Sequence, residues 1–133
     1  MPLDSRGLPD GTPQLEAIRR IGSGLGFARD AEVSATQITT RATGVTCSGL
    51  CGAITTDTTS LAALAAATFT VTNTLVAASD VVLVSIRSGA TNVKTDARVT
   101  AVAAGSFDIT IHNIDASTAE IGAIIINYVV IKA

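Results

Sequence analysis

The stretch TFTVTN at residues 68–73 alternates a polar side chain with a large apolar one. Successive side chains of a β-strand point to opposite faces, so Phe69 and Val71 share one face and the threonines around them share the other. The alternation predicts a strand with one buried face. The stretch SFDITIHN at residues 106–113 repeats the pattern with one phenylalanine and two isoleucines. Both stretches therefore predict half-buried strands.

Two other stretches are apolar on both faces. They are DVVLVSIR at residues 80–87 and AIIINYVVIK at residues 123–132. Such runs are typical of central strands that are covered on both sides. We expect the second sheet of the same domain to cover one side and a symmetry-related copy to cover the other.

From residue 36 onward, turn residues separate short β-type segments at the spacing of a sandwich or barrel. The chain has nineteen threonines, and their β-branching favours strands over helices. We predict an antiparallel β-sandwich or jelly-roll-like domain over residues 36–133, with an apolar loop containing one helical turn at 60–68 and a hairpin turn at Ala104-Gly105. The predicted strands cover residues 36–41, 44–47, 52–56, 68–73, 80–87, 97–103, 106–112 and 122–132.

The composition indicates a partner protein. The chain has 133 residues, 47% of them hydrophobic and only 15% charged, against about 25% charged in an average soluble domain. A single small domain leaves much of its surface in water, so this apolar excess favours burial against another protein.

Other classes of partner fit the sequence poorly. The net charge is −2 and there is no Lys or Arg cluster, so we expect no binding to nucleic acid. The apolar run at 123–131 is far shorter than the roughly 20 residues that a transmembrane helix needs, so we expect no membrane span. The N-terminus lacks the basic start and apolar stretch of a signal peptide, so we expect no export by the general pathway.

Residues 1–35 differ from the rest because they contain all three prolines and five of the eleven glycines. We predict an N-terminal arm with a short helix over residues 13–21, which begins at Pro13. Leu15, Ile18 and Ile21 recur at helical spacing and predict a narrow apolar stripe that anchors the arm to a partner.

Cys47 and Cys51 occur in the stretch TCSGLCG. This spacing differs from the CxxC of redox proteins and lacks the second pair of a zinc site. Three states stay open: two reduced cysteines, a local disulfide across a turn at residues 48–50, and a bond to another chain.

No constellation predicts catalysis. The one histidine, His112, shares a strand face with Asp108, and we interpret it as a surface residue because no further ligand follows at a metal-binding spacing. The stretch GSGLG at residues 22–26 lacks the Lys-Ser/Thr that completes a phosphate-binding loop. We therefore expect no enzyme, no catalytic residues, no metal and no cofactor.

Over residues 36–133 the chain resembles a β-domain that recurs in virion proteins of tailed bacteriophages and prophages. The resemblance lies in FTVTN followed by DVVLVSI, in AVAAGSF, and in the ending INYVVIKA. These are packing residues, and no catalytic motif is among them.

The resemblance implies a structural protein of the phage particle, made in the host cytoplasm and located on the capsid surface. Its implied partners are the major capsid protein and further copies of itself, most often as a homotrimer. We expect a capsid decoration or head-fibre protein that reinforces the shell. The alternative is a tail-fibre or adsorption module that binds glycans of the host surface.

Overall fold

The structure is a computed structural model that describes residues 18–21, 24–27 and 32–133, with side chains described over residues 32–133. The chain divides into two units, Met1–Asp30 and Ala31–Ala133. Every regular element within the described ranges is a β-strand, which confirms the all-β prediction. None of the described residues belongs to a helix that could cross a membrane.

The first unit contains an antiparallel hairpin. Its strands are β1 (Ile18–Ile21) and β2 (Gly24–Phe27). The predicted helix at residues 13–21 is therefore wrong at its C-terminal end, while residues 13–17 lie outside the described residues. The physical reason is local, because two isoleucines favour a strand and a Gly-Ser dipeptide between two short runs is a hairpin signal.

The second unit consists of two sheets with four strands each. The first sheet contains, in spatial order, β3 (Glu32–Thr36), β5 (Cys51–Thr55), β10 (Ile125–Ile131) and β7 (Val81–Ser88). The second sheet contains, in spatial order, β4 (Val45–Thr46), β6 (Ala66–Thr72), β9 (Ser106–Asn113) and β8 (Thr95–Ala103).

Both sheets are mixed, so the prediction of an antiparallel arrangement throughout is wrong. β3 pairs with β5 in parallel, and β4 pairs with β6 in parallel, while the other pairs are antiparallel. The connectivity explains this. From β3 to β8 the chain changes sheet at every connection, and it reverses direction each time. β3, β5 and β7 therefore point the same way in the first sheet, and β4, β6 and β8 point the same way in the second.

The two sheets share one hydrophobic core. Ile54 and Ile126 of the first sheet and Phe69 and Ile109 of the second belong to a single buried cluster. The rings of Phe107 and Tyr128, one from each sheet, lie 5.2 Å apart between centroids, a separation at which aromatic pairs attract each other. The predicted alternation of β6 and β9 is confirmed, since their large apolar side chains are buried.

The connections collect at two ends of this unit. At one end, here called the loop end, lie residues 37–44, 56–65, 89–94 and 114–124. At the other, here called the turn end, lie residues 47–50, 73–80, 104–105 and 132–133.

Three local predictions change. The strand predicted at residues 36–41 lies earlier, as β3, so the predicted boundary between residues 35 and 36 falls within that strand. Residues 60–68 contain no helical turn, and Leu61 forms an isolated β-bridge with Glu120. β7 is an edge strand rather than a central one, so no described strand pairs with its second edge, and its outward residues Val81 and Leu83 are about half exposed.

Candidate functional site

The predicted anchoring residues belong to the first unit. Leu15 lies outside the described residues. Ile18 and Ile21 are the first and last residues of β1, in a strand and not at helical spacing. Their role as partner-binding residues stays a prediction.

Cys47 and Cys51 are both free thiols. Cys47 is buried in the core. Cys51 lies on the outward face of β5, because the next residue, Gly52, faces the ring of Tyr128. Burial raises the pKa of both thiols, and the carboxylate of Glu32 raises that of Cys51 further. Both thiols are therefore weaker nucleophiles at neutral pH than an ordinary cysteine.

The outward face of the second sheet is polar. Thr110 hydrogen-bonds to Thr68 at 2.8 Å and to Thr100 at 3.0 Å, and the Thr70 hydroxyl donates to Asp108 at 2.7 Å. His112 shares this face, opposite Ala66 and Asp96 in the strand register. Within residues 32–133, no three His, Cys, Asp or Glu side chains group closely enough to hold a metal ion.

A groove of about 380 Å³ indents the outward face of the first sheet. It is lined by Glu32, Cys51, Gly52, Arg87, Asn127 and Tyr128. Its charged side chains have opposite signs, and its thiol has a raised pKa. This composition does not define a reaction.

The most developed polar arrangement is a buried carboxylate at the loop end. Glu120 is fully buried. Its Oε1 accepts hydrogen bonds from the Thr91 amide at 2.9 Å, the Thr91 hydroxyl at 2.7 Å and the Gly122 amide at 2.6 Å. Its Oε2 accepts from the Asn92 amide at 2.8 Å and the Thr95 hydroxyl at 2.7 Å. One side chain thus holds the β7–β8 and β9–β10 connections together.

These donors keep Glu120 ionised. Burial alone would raise the pKa of this carboxyl, but the amides and hydroxyls of Thr91, Asn92 and Thr95 stabilise the anion and lower its pKa to about 2, from 4.5. The carboxylate is therefore a permanent acceptor at neutral pH.

Arg41 joins the two remaining connections to this arrangement. Its guanidinium is buried and donates to the Thr59 carbonyl at 2.5 Å, the Thr56 hydroxyl at 3.0 Å and the Gly122 carbonyl at 2.8 Å. A weaker contact of 3.4 Å reaches the Glu120 carbonyl. A planar donor with five N–H groups can serve several carbonyls at once. All four loop-end connections are thereby tied into one network.

Glycine makes the close approach of these connections possible. A Cβ at Gly122 would lie 1.9 Å from the Gly89 carbonyl oxygen, so any side chain there would clash with backbone. Gly89 itself has φ +86°, in the left-handed region that glycine adopts most readily. The β7–β8 and β9–β10 connections therefore meet backbone to backbone.

The connections that this network joins carry apolar side chains that are exposed to water. Val93 is 97% exposed and Leu64 is 64% exposed, and Ile114 and Ile121 are also exposed. Backbone hydrogen bonds link their segments: Leu64 N donates to the Asp115 carbonyl at 3.0 Å, and Ile114 N donates to the Lys94 carbonyl at 3.2 Å. We call Leu64, Val93, Ile114 and Ile121 the loop patch.

Leu64 adopts a conformation that disfavours leucine. Its φ is +59°, and among the described residues no other non-glycine residue has a positive φ. The left-handed region costs an L-residue about 1–2 kcal/mol, and Gly, Asn or Asp fill such positions more readily. A strained and exposed leucine favours an interpretation in which the side chain has a binding role.

Sequence reasoning did not identify Arg41, Glu120 or the loop patch. A weak signal existed, since Glu120 is the only acidic residue after Asp115 and precedes Gly122 by two positions. Apart from the Gly122 amide, its donors come from residues 91–95, which no local pattern connects to it.

No protein-family model matches this chain, and comparisons with curated proteins and with solved structures found no match either.

Proposed function

We propose that this protein is a structural component of a phage virion, namely a capsid decoration or head-fibre protein that binds the major capsid protein shell as a homo-oligomer. We also propose that the two sheets form a jelly-roll-like sandwich. The resemblance over residues 36–133 suggests this class, and the loop patch supplies a surface for binding a protein.

The loop patch is the observation that carries the proposal. Association costs less free energy when the binding groups are already ordered. Glu120 and Arg41 fix the connections that present Leu64, Val93, Ile114 and Ile121. The Lys94 ammonium and the Asp115 carboxylate, 3.4 Å apart, add a polar contact between two of these segments. Apolar residues within a polar rim are typical of protein interfaces.

The aromatic residues favour a protein partner over a sugar. Sugar-binding modules usually place exposed aromatic rings against the sugar, whereas Phe69, Phe107 and Tyr128 are buried to 3% exposure or less. Within residues 32–133, these three are all the aromatic side chains. The glycan-binding alternative has no ring available in this part of the chain.

Co-sedimentation with empty shells of the major capsid protein encoded in the same genome tests the proposal. We expect the full chain to bind, and a variant with Leu64→Asn and Val93→Ser to bind at least tenfold more weakly. Asn tolerates the left-handed conformation, so Leu64→Asn leaves stability unchanged or raises it by up to about 1 kcal/mol. Weaker binding would therefore not reflect unfolding.

Two further variants complete the test. Leu75→Asn changes an exposed leucine at the turn end with no positive φ, and should bind shells like the original chain. Replacing Leu15, Ile18 and Ile21 with serine tests the arm as a second anchor, and we expect lower occupancy. Failure of the unchanged chain to sediment at micromolar concentration, together with binding to a glycan array, would reject the proposal in favour of an adsorption module.

A further inference from the structure

We infer that the free edge of β7 pairs in antiparallel fashion with the β7 edge of a second copy of this chain, about a two-fold axis. The inference deepens the self-association in the proposed function and names the surface responsible. It depends on that part of the proposal and is independent of capsid binding.

The β7 edge has open backbone hydrogen-bonding groups. β7 is the last strand of its sheet, and among the described strands only β10 hydrogen-bonds to it. No other backbone hydrogen bond involves residues 81–88 within the described part of the chain. A long, free strand edge is a template for pairing with another chain.

The other three edges differ from β7. β4 has two residues and β3 has five, which leaves little backbone to pair. β8 has nine residues, but its register shifts between Val99 and Ala101, and Asp96 and Arg98 form an exposed ion pair on it at 3.7 Å. Short length, irregularities and charges are the ways in which proteins protect an edge. β7 has a register shift and a charge at Arg87, but its residues 81–86 are regularly paired on the β10 side and carry no charge.

The side chains of β7 are incompletely covered on both faces. Val84 and Ile86 point towards the core but are only half-buried, in contrast to Ile126 and Val130 of the neighbouring β10. On the outward face, Leu83 is about half exposed. A further strand beside β7 would cover both sets, because side chains of adjacent strands flank each other.

The strand is complementary to itself. In an antiparallel pair about a two-fold axis perpendicular to the sheet, each residue lies opposite one of the same parity. Inward residues of one copy therefore meet inward residues of the other. Val82, Val84 and Ile86 would continue the core side, and no like charges would meet within residues 81–86. A second copy satisfies these conditions by symmetry.

Light scattering of the full chain tests the pairing. An edge contact is small beside the roughly 1,600 Å² of a standard interface, so we expect association in the micromolar range. The mass should approach twice 13.4 kDa as concentration rises. A mass of three chains would support the trimer that the resemblance implies and would overturn the pairing, as would one chain at millimolar concentration.

Leu83→Lys places like charges at the centre of the pair. Leu83 is exposed in the single chain, so the fold should tolerate the change. We expect at least tenfold weaker self-association, whereas the control Thr70→Lys, on the exposed face of β6, should leave it unchanged. Equal weakening by both variants, or by neither, would overturn the pairing.

Hydrogen exchange distinguishes pairing from other contacts. Amide protection within residues 81–88 should rise with concentration in the original chain and stay low in Leu83→Lys. Protection that is independent of concentration, with the mass of one chain, would show that the chain covers this edge itself. A chain that binds shells as a monomer would reject the pairing and the proposed self-association but leave the capsid role, and one that pairs without binding shells would reject only the capsid role.

Discussion

The loop end and the turn end of the two-sheet unit solve the same problem with different chemistry. Both have buried polar side chains that accept or donate hydrogen bonds across connections. At the loop end the ions Glu120 and Arg41 join all four connections, whereas at the turn end the neutral Asn73 and Tyr128 hold residues 47–49 and the buried carboxylate of Asp80 binds nearby backbone amides. The difference follows from which backbone groups need hydrogen-bond partners at each end.

At the turn end neutral groups hold the connection at residues 47–50. The Tyr128 hydroxyl donates to the Cys47 carbonyl at 2.8 Å, with a second contact of 3.1 Å to the Gly49 carbonyl. Asn73 Nδ2 donates to the same Gly49 carbonyl at 2.8 Å. The buried carboxylate of Asp80 accepts from the Ala77 amide at 2.8 Å and pairs with Lys132, whose ammonium is about half exposed. Neutral side chains thus serve the carbonyls of residues 47–49, while Asp80 serves the amides of Ala77 and Ala133.

At the loop end the main need is an acceptor. Several backbone amides and threonine hydroxyls converge on one point, and an ionised carboxylate can accept all of them. Charge-assisted hydrogen bonds are about twice as strong as neutral ones. We therefore expect the Glu120 site of the loop end to be more sensitive to substitution and to acid than the neutral site of Asn73 and Tyr128 at the turn end.

Glu120→Gln should have the largest effect. The amide group of Gln cannot accept at both positions, so buried donors lose their partner and Arg41 loses a nearby negative charge. We expect about 3–5 kcal/mol lower unfolding free energy in urea titration. The matched control Glu32→Gln, at an exposed carboxylate, should change stability by less than about 0.5 kcal/mol. Similar losses in the two variants would contradict the comparison.

Acidification should lower the unfolding free energy through the same residue, Glu120. The pKa of Glu120 is lowered in the folded protein to about 2, from 4.5, so below pH 4.5 the unfolded chain binds more protons than the folded one. The stabilisation, about 3 kcal/mol, is fully present above pH 4.5 and is lost as the pH falls towards 2.

Asp115 also has a lowered pKa, near 2, so the contribution of Glu120 has to be isolated. The difference in unfolding free energy between the original chain and Glu120→Gln should shrink as the pH falls through this window. A difference that stays constant from pH 5 to pH 2.5 would show that the ionised form of Glu120 contributes no stability.

Tyr128→Phe should have the smallest effect of the three. It removes the hydroxyl that donates to Cys47 but leaves the ring against Phe107, and Asn73 still donates to the Gly49 carbonyl. We expect about 1–2 kcal/mol lower unfolding free energy in urea titration. A loss as large as that of Glu120→Gln would remove the distinction between the two ends.

Local pattern was enough to predict much of the core. Phe69, Val71 and Ile109 are buried as the alternation predicts, and Gly105 has the positive φ of a tight hairpin turn. Local pattern was insufficient for the first strand of the unit, because residues 37–41 include the β-branched Ile38, Thr39 and Thr40, which favour a strand. There, buried hydrogen bonds of Gln37 and Arg41 outweigh strand propensity.

The sequence by itself determined the fold class, most strand positions and the burial of one face, because side-chain alternation is a property of neighbouring residues. Only the tertiary structure decided that Glu120 is buried, since its donors Thr91 and Thr95 lie 29 and 25 positions away along the chain. It also decided that β7 is an edge strand while β10, equally apolar, is central. Both outcomes depend on strand order, which is set by long-range packing and has no period in the sequence.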